Sequence, residues 1–219
     1  MVDLNKLMSG LARSGFASGL AGGVAGGALS GALMSRKGRK VAGNLLKVGG
    51  IAAIGGLAWS AYRNYQRDRQ VAAPGEERWH GLSASRFDLA GQTPWQARSQ
   101  GFVIVRAMIT AAHSDGHLDA AELDRIYGQV ERLRLGATEK ATLFEELRHP
   151  RPVEEIAEAA ADPAMAVEVY AASLLAIDES APHAGAYLAR LKALLALPDA
   201  LVDAVHRQAS QPMQPVQAA

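Results

Sequence analysis

The chain has no cysteine in its 219 residues, which excludes disulfides, thiolate zinc sites and cysteine nucleophiles. Acid is nearly missing from residues 1–70, where ten Lys/Arg stand against Asp3 and Asp68 alone, a net charge of +8. Residues 71–219 reverse the balance, with 13 basic and 20 acidic residues and a net charge of −7. The near-neutral total hides a basic part followed by an acidic one, and such asymmetry points to a membrane or nucleic-acid contact for the basic end. No segment alternates apolar and polar residues over strand length, which argues against β structure. No G-x-S-x-G frames a serine nucleophile, and no glycine-rich phosphate loop follows a strand. No enzymatic activity is expected. The basic cluster has no nucleic-acid-binding fold around it, so no nucleic-acid partner is expected either.

What is present begins with 22 residues, Ser14 to Ser35, without a charge or a proline. Roughly 20 such residues span a bilayer as a helix. Gly15, Gly19, Gly23, Gly27 and Gly31 recur every fourth residue through the run. In water each would cost a helix about 1 kcal/mol relative to alanine, whereas in lipid small residues let two helices approach closely. A glycine-zipper membrane helix that self-associates is expected, in preference to a flexible glycine-rich linker. The stretch fits a signal peptide poorly and is expected to be retained.

Arg36, Lys37, Arg39 and Lys40 then form a basic turn around Gly38, suited to anionic lipid headgroups. A second apolar run, Val48 to Tyr62, holds 15 uncharged residues and reaches spanning length only with help from its flank. Trp59, Tyr62 and Tyr65, with Arg63, Arg67 and Arg69 beyond them, read as an interfacial anchor. Two readings stand: a helical hairpin matched through Gly49, Gly50, Gly55 and Gly56, or one span followed by an interfacial helix. The second is favoured, and the positive-inside rule then keeps everything after Ser35 in the cytoplasm.

The organisation expected is therefore a membrane-associated segment over 1–70, a linker over 71–92, a helical domain over 93–210 and a disordered tail over 211–219. Trp79, Phe87 and Leu89 are expected to dock the linker. Thr93-Pro94-Trp95-Gln96 opens the domain with a capping threonine, a proline at the first helical position and a glutamine three residues past the cap. Breaks at Asp115-Gly116, Gly136 and Pro150, with Thr138 as a cap and openings at Pro163, Pro182 and Pro198, divide the domain into seven helices.

At the first break stands A-A-H-S-D-G-H-L-D-A-A-E-L, Ala111 to Leu123, where Asp115, Asp119 and Glu122 fall within eight residues. Asp115 to Glu122 reads D-G-x-hydrophobic-D-x-x-E, the second half of an EF-hand loop. Ala111 and His113 stand where that loop needs its first carboxylates, and calcium takes six to eight oxygens, so any cation must borrow ligands elsewhere. A second helix-end acid, Asp178, follows Ala176-Ile177. Capping accounts for Asp119 and Glu122 as well as metal binding does, and the two readings stand side by side. His113 and His117 are four apart, but Gly116 interrupts the helix that would align them as a zinc pair.

The run from Ala107 to Glu122, followed by Tyr170-Ala171-Ala172-Ser173-Leu174, Ala176-Ile177-Asp178 and Tyr187-Leu188, resembles the TerB-like, tellurite-resistance-type domain. With the glycine-rich N-terminus, the chain resembles the YebE-type inner-membrane proteins of Gram-negative bacteria. That resemblance implies an all-α domain of two pseudo-symmetric halves whose central acids can bind a divalent cation, calcium or magnesium, with Asp115, Asp119, Glu122 and Asp178 as candidate ligands. Ala184 and Gly185 stand where the second half would carry a further acid. The expected function is a membrane-tethered binding or stress-response module that takes a cation or recruits a protein partner. The alternative is a scaffold that oligomerises through its glycine helices and binds no ligand.

Overall fold

Gly50 divides the first helix. Its φ of 59° with ψ of −150° lies in a region that only glycine occupies readily, so the helical backbone kinks there. The computed structural model describes residues 36–68, 77–88, 91–115, 120–132, 135–177 and 181–210, with backbone alone for 36–49, 115, 120–122, 125 and 132. The uncharged run, its glycine ladder (Gly15, Gly19, Gly23, Gly27, Gly31) and the tail lie outside those residues. Among the described residues no helix is long and apolar enough to cross a membrane.

The described elements are all helical. They are α1 (Arg36–Asp68), α2 (Pro94–Ala112), α3 (Ala120–Arg132), α4 (Ala137–Glu146), α5 (Val153–Ala159), α6 (Pro163–Ala176), α7 (Ala184–Leu195) and α8 (Asp199–Ala209). Seven of them follow Thr93, as the breaks and caps in the sequence predict. Thr93 caps α2 by accepting from the Gln96 N–H, while the Gln96 side chain accepts the Thr93 N–H at 3.2 Å. Asp162 caps α6 by accepting from Ala164 and Met165. The start of α4 differs from expectation: Gly136, not Thr138, is the cap, because the Glu139 carboxylate reaches back to accept the Gly136 N–H at 2.7 Å. Arg36, Lys37, Arg39 and Lys40 differ too. They lie on the first turns of α1 rather than in a turn, since Lys and Arg are good helix formers and a single glycine does not stop a helix.

The larger difference concerns the second apolar run. Ile51, Ile54, Leu57, Ala58, Ala61, Tyr62 and Tyr65 are buried in the same core as the helices beyond Thr93, and α1 packs on α3, α6 and α8. Tyr62 and Tyr65 are therefore core residues, with Trp59 partly buried against that core, and not an interfacial anchor. The reason is chemical: the Tyr62 hydroxyl donates to the Trp79 carbonyl at 3.1 Å and accepts the Leu82 N–H at 3.0 Å, so its polar end is satisfied inside the protein. Gly50 and Gly55 have other roles among the described residues. The first is the kink, and the second faces the segment that follows α1.

That segment, residues 77–88, is a strap of two single 3₁₀ turns, Glu77–Trp79 and Ala84–Arg86. Trp79, Leu82 and Phe87 are buried, which docks the strap as expected; Leu89 lies outside the described residues. Trp59 and Tyr62 flank Phe87 with ring centroids 5.6 and 5.9 Å away. On the outside, Arg78 donates to the Ala161 carbonyl and Arg86 pairs with Asp162. Beneath lies α6, whose residues 164–176 are all buried and which touches α1, α2, α3, α7 and α8.

Candidate functional site

A helix enclosed on every side has nowhere to turn a charge, and α6 carries one. Glu168 is 0% exposed, and neither carboxyl oxygen has a hydrogen-bond partner. A β-carbon added to Gly55 of α1 would stand 3.1 Å from Glu168 Oε1 and 2.2 Å from the Phe87 carbonyl oxygen. The carboxyl thus lies where α1, the strap and α6 meet, and glycine is required at 55 because the α1 backbone presses directly on the strap. Removal from water disfavours the ionised form, and the negative Asp162 adds to the effect, pushing the Glu168 pKa up to about 8. At neutral pH the group is mostly a neutral acid, a proton store inside an apolar core. A carboxyl shifted this way at the meeting point of three elements is a functional-site candidate on physical grounds.

Polar groups elsewhere on α6 are satisfied. Tyr170 Oη lies 3.0 Å from His206 Nε2 on α8, and Ser173 Oγ lies 3.5 Å from the Tyr187 hydroxyl on α7. Burial pushes the Tyr187 phenol up to about 12. At the far side, Glu146 receives two guanidinium groups: Arg106 reaches both its oxygens, at 2.7 and 3.0 Å, and Arg151 donates at 2.9 Å. That network is a paired structural charge, the opposite of Glu168.

The carboxylates singled out in the sequence fall elsewhere. The 3₁₀ turn His113–Asp115 continues from α2 and packs against α7, and Glu122 is the third residue of α3. The side chains of Asp115 and Glu122, and the whole of Asp119 and Asp178, lie outside the described residues. Among the described residues no group of three or more metal-ligating side chains gathers. His113 is held by its neighbour, its Nε2 lying 2.7 Å from the Leu147 carbonyl oxygen. Sequence reasoning passed over Glu168, although one signal was there: P-A-M-A-V-E-V-Y-A-A-S-L-L-A carries a single charge, with no basic residue three or four positions away to pair it.

Residues 19–209 match a family model described as a protein of unknown function, DUF533. The chain belongs to this family. No curated protein and no solved structure matches it. The span matched in the DUF533 family begins inside the uncharged glycine run and ends with α8, so the family pattern takes in most of that run together with α1, the strap and the helical body.

Proposed function

We propose that the chain is a membrane-tethered, non-enzymatic binding module of TerB-like build, akin to the YebE-type proteins, that serves a stress response by taking a divalent cation or recruiting a protein partner. The observation that carries the reading is that α1, kinked at Gly50, links the uncharged run to the helical body. It starts directly after the uncharged run, bears Arg36, Lys37, Arg39 and Lys40 on its first turns, and ends in the core of the helical body. The inclusion of the glycine run in the matched family span supports the tether. With 51–68 engaged in the core, residues 14–35 remain as the bilayer-crossing candidate, and the basic residues after them favour a body on the cytoplasmic face of the bacterial inner membrane. The ladder of Gly15, Gly19, Gly23, Gly27 and Gly31 supports self-association within the bilayer. Arg36, Lys37, Arg39 and Lys40 then meet anionic headgroups.

For the cation, calcium or magnesium, the reading rests on the sequence of the corner: Asp115 closes the turn after α2, Glu122 starts α3, and Asp178 follows α6. Alkaline carbonate extraction tests the tether. The full-length chain stays with the membrane pellet, and its release into the soluble fraction would overturn the reading. Melting curves of wild type and Asp115→Asn with calcium or magnesium and with EDTA test the cation, which predicts a loss in the variant only when the cation is present. Equal losses in both conditions would leave capping as the whole role of the corner.

A further inference from the structure

We propose that residues 77–88 form a proton-gated clasp: the strap stays docked on α1 and α6 while the Glu168 carboxyl beneath it is protonated, and lifts when that proton is lost. The inference is independent of the tether and of the cation.

The geometry supplies both halves of the device. Glu168 has two buried oxygens with no partner, so ionisation in place creates an unpaired charge in an apolar interior, which is strongly unfavourable. Relief requires water, and water enters most easily where the cover is least regular. The Phe87 end of the strap meets α1 beside Glu168, and the strap has two isolated 3₁₀ turns instead of a helical ladder. Its hold includes Trp79, Leu82 and Phe87, the Tyr62 hydroxyl, the Gln66 amide on the Trp79 carbonyl, and two outer contacts made by Arg78 and Arg86. Phe87 carries the carbonyl that presses on Gly55 next to the carboxyl. The strap therefore connects α1 to α2 and also closes the site.

The ionisable groups around α6 leave Glu168 as the one suited to gate it. Asp162, at the α6 N-cap, disfavours ionisation of Glu168 and is itself held by Arg86 of the strap. His206 of α8 is bonded to Tyr170, and Tyr187 of α7 to Ser173. Arg106 of α2 is held by Glu146, while Asp124 and Glu131 of α3 are exposed. Glycine, alanine and apolar side chains fill the part of α1 nearest the site, from Ile51 to Trp59. A group that titrates near 8 when buried and in the ordinary carboxyl range when open links the two states, and each pH unit between those limits shifts the closed-to-open ratio about tenfold.

Amide hydrogen exchange of the full-length chain, corrected for the intrinsic pH dependence of exchange, tests the clasp. The reporter is the Leu82 N–H, which bonds to the Tyr62 hydroxyl across the strap–α1 contact. In wild type its protection falls about tenfold per pH unit from 6 to 8 and then levels, and at every pH it stays well below that of the amides of residues 104–109 in α2, which open only with the whole body. In Glu168→Gln, which keeps the shape but cannot ionise, Leu82 protection no longer follows pH. If Glu168→Gln does not fold, Glu168→Met takes its place with the same expectation. Equal pH slopes in wild type and variant would overturn the proposal, and so would Leu82 protection equal to that of the α2 amides, which would mean exchange by global unfolding and no clasp.

Discussion

Helices α6 and α8 both pack against α1, yet they solve opposite problems. α8 lies at the edge of the body, with Leu201, Val202, Ala204, Val205 and Ala209 turned inward and Asp203 and Arg207 outward. Its polar contacts to α1, Asn64 with Gln208 and Arg207 with Asp68, are at the rim where water completes them. α6 has no outward side, because five helices and the strap enclose it. The comparison shows that neighbours, not helix type, decide what a charge means: an acid on α8 is ordinary surface, and an acid on α6 must be neutral or must do something.

The widest contrast comes from truncation. Leu175→Ala on α6 should destabilise by about 2–5 kcal/mol, since it opens a cavity in a core closed on all sides. Asp203→Ala on α8 should change stability by less than about 0.5 kcal/mol, and urea unfolding of the two variants would show whether the asymmetry holds. A second pair sharpens the α1–strap contact. Gly55→Ala meets the Phe87 carbonyl at 2.2 Å and should cost about 3 kcal/mol, whereas Gly56→Ala, with nothing within 4 Å, should gain up to about 1 kcal/mol from helix propensity. Thermal melts that rank the two alanines the other way would break the account of Gly55.

The pH dependence follows from the raised Glu168 pKa. Because the folded value exceeds the unfolded one, the contribution of this group is whole below the ordinary carboxyl range. It is lost as pH rises toward 8, at about 1.4 kcal/mol per pH unit for a fully buried acid. Glu168→Gln should remove that slope and be the more stable protein at pH 9, read from urea midpoints at pH 5, 7 and 9. Arg86→Ala is the smallest loss expected from removing a contact of the strap. It removes an ion pair whose partners are about half exposed and should cost less than about 1 kcal/mol, an effect that fades in high salt if the pair acts by charge alone.

Much of the fold was legible because caps and breakers act locally. Thr93 with Gln96 opens α2 by bonds between neighbours, and the seven helices after it follow from glycine and proline positions whose effects do not depend on distant packing. The segment 51–68 was not legible in the same way. A helix apolar on all sides belongs either in lipid or in a protein core, and Trp59, Tyr62 and Tyr65 suit both places until the partners of their polar ends are known. The candidate site divides along the same line. Asp115, Asp119 and Glu122 stand out as a motif because they are close in sequence, while Glu168 is set apart by what surrounds it in space, Gly55 and Phe87 being 113 and 81 residues earlier in the chain.

That long-range contact is also where the account is most exposed. If 51–68 is core, a chain comprising 93–210 has lost the surface on which α6 and α8 close, and a chain comprising 48–210 has kept it. Thermal unfolding of the two, followed by circular dichroism at pH 6, compares them directly. The account predicts one cooperative transition for 48–210 and, for 93–210, a broad non-cooperative loss of helix or no folded state. A sharp transition of 93–210 at the same temperature as the longer chain would contradict it.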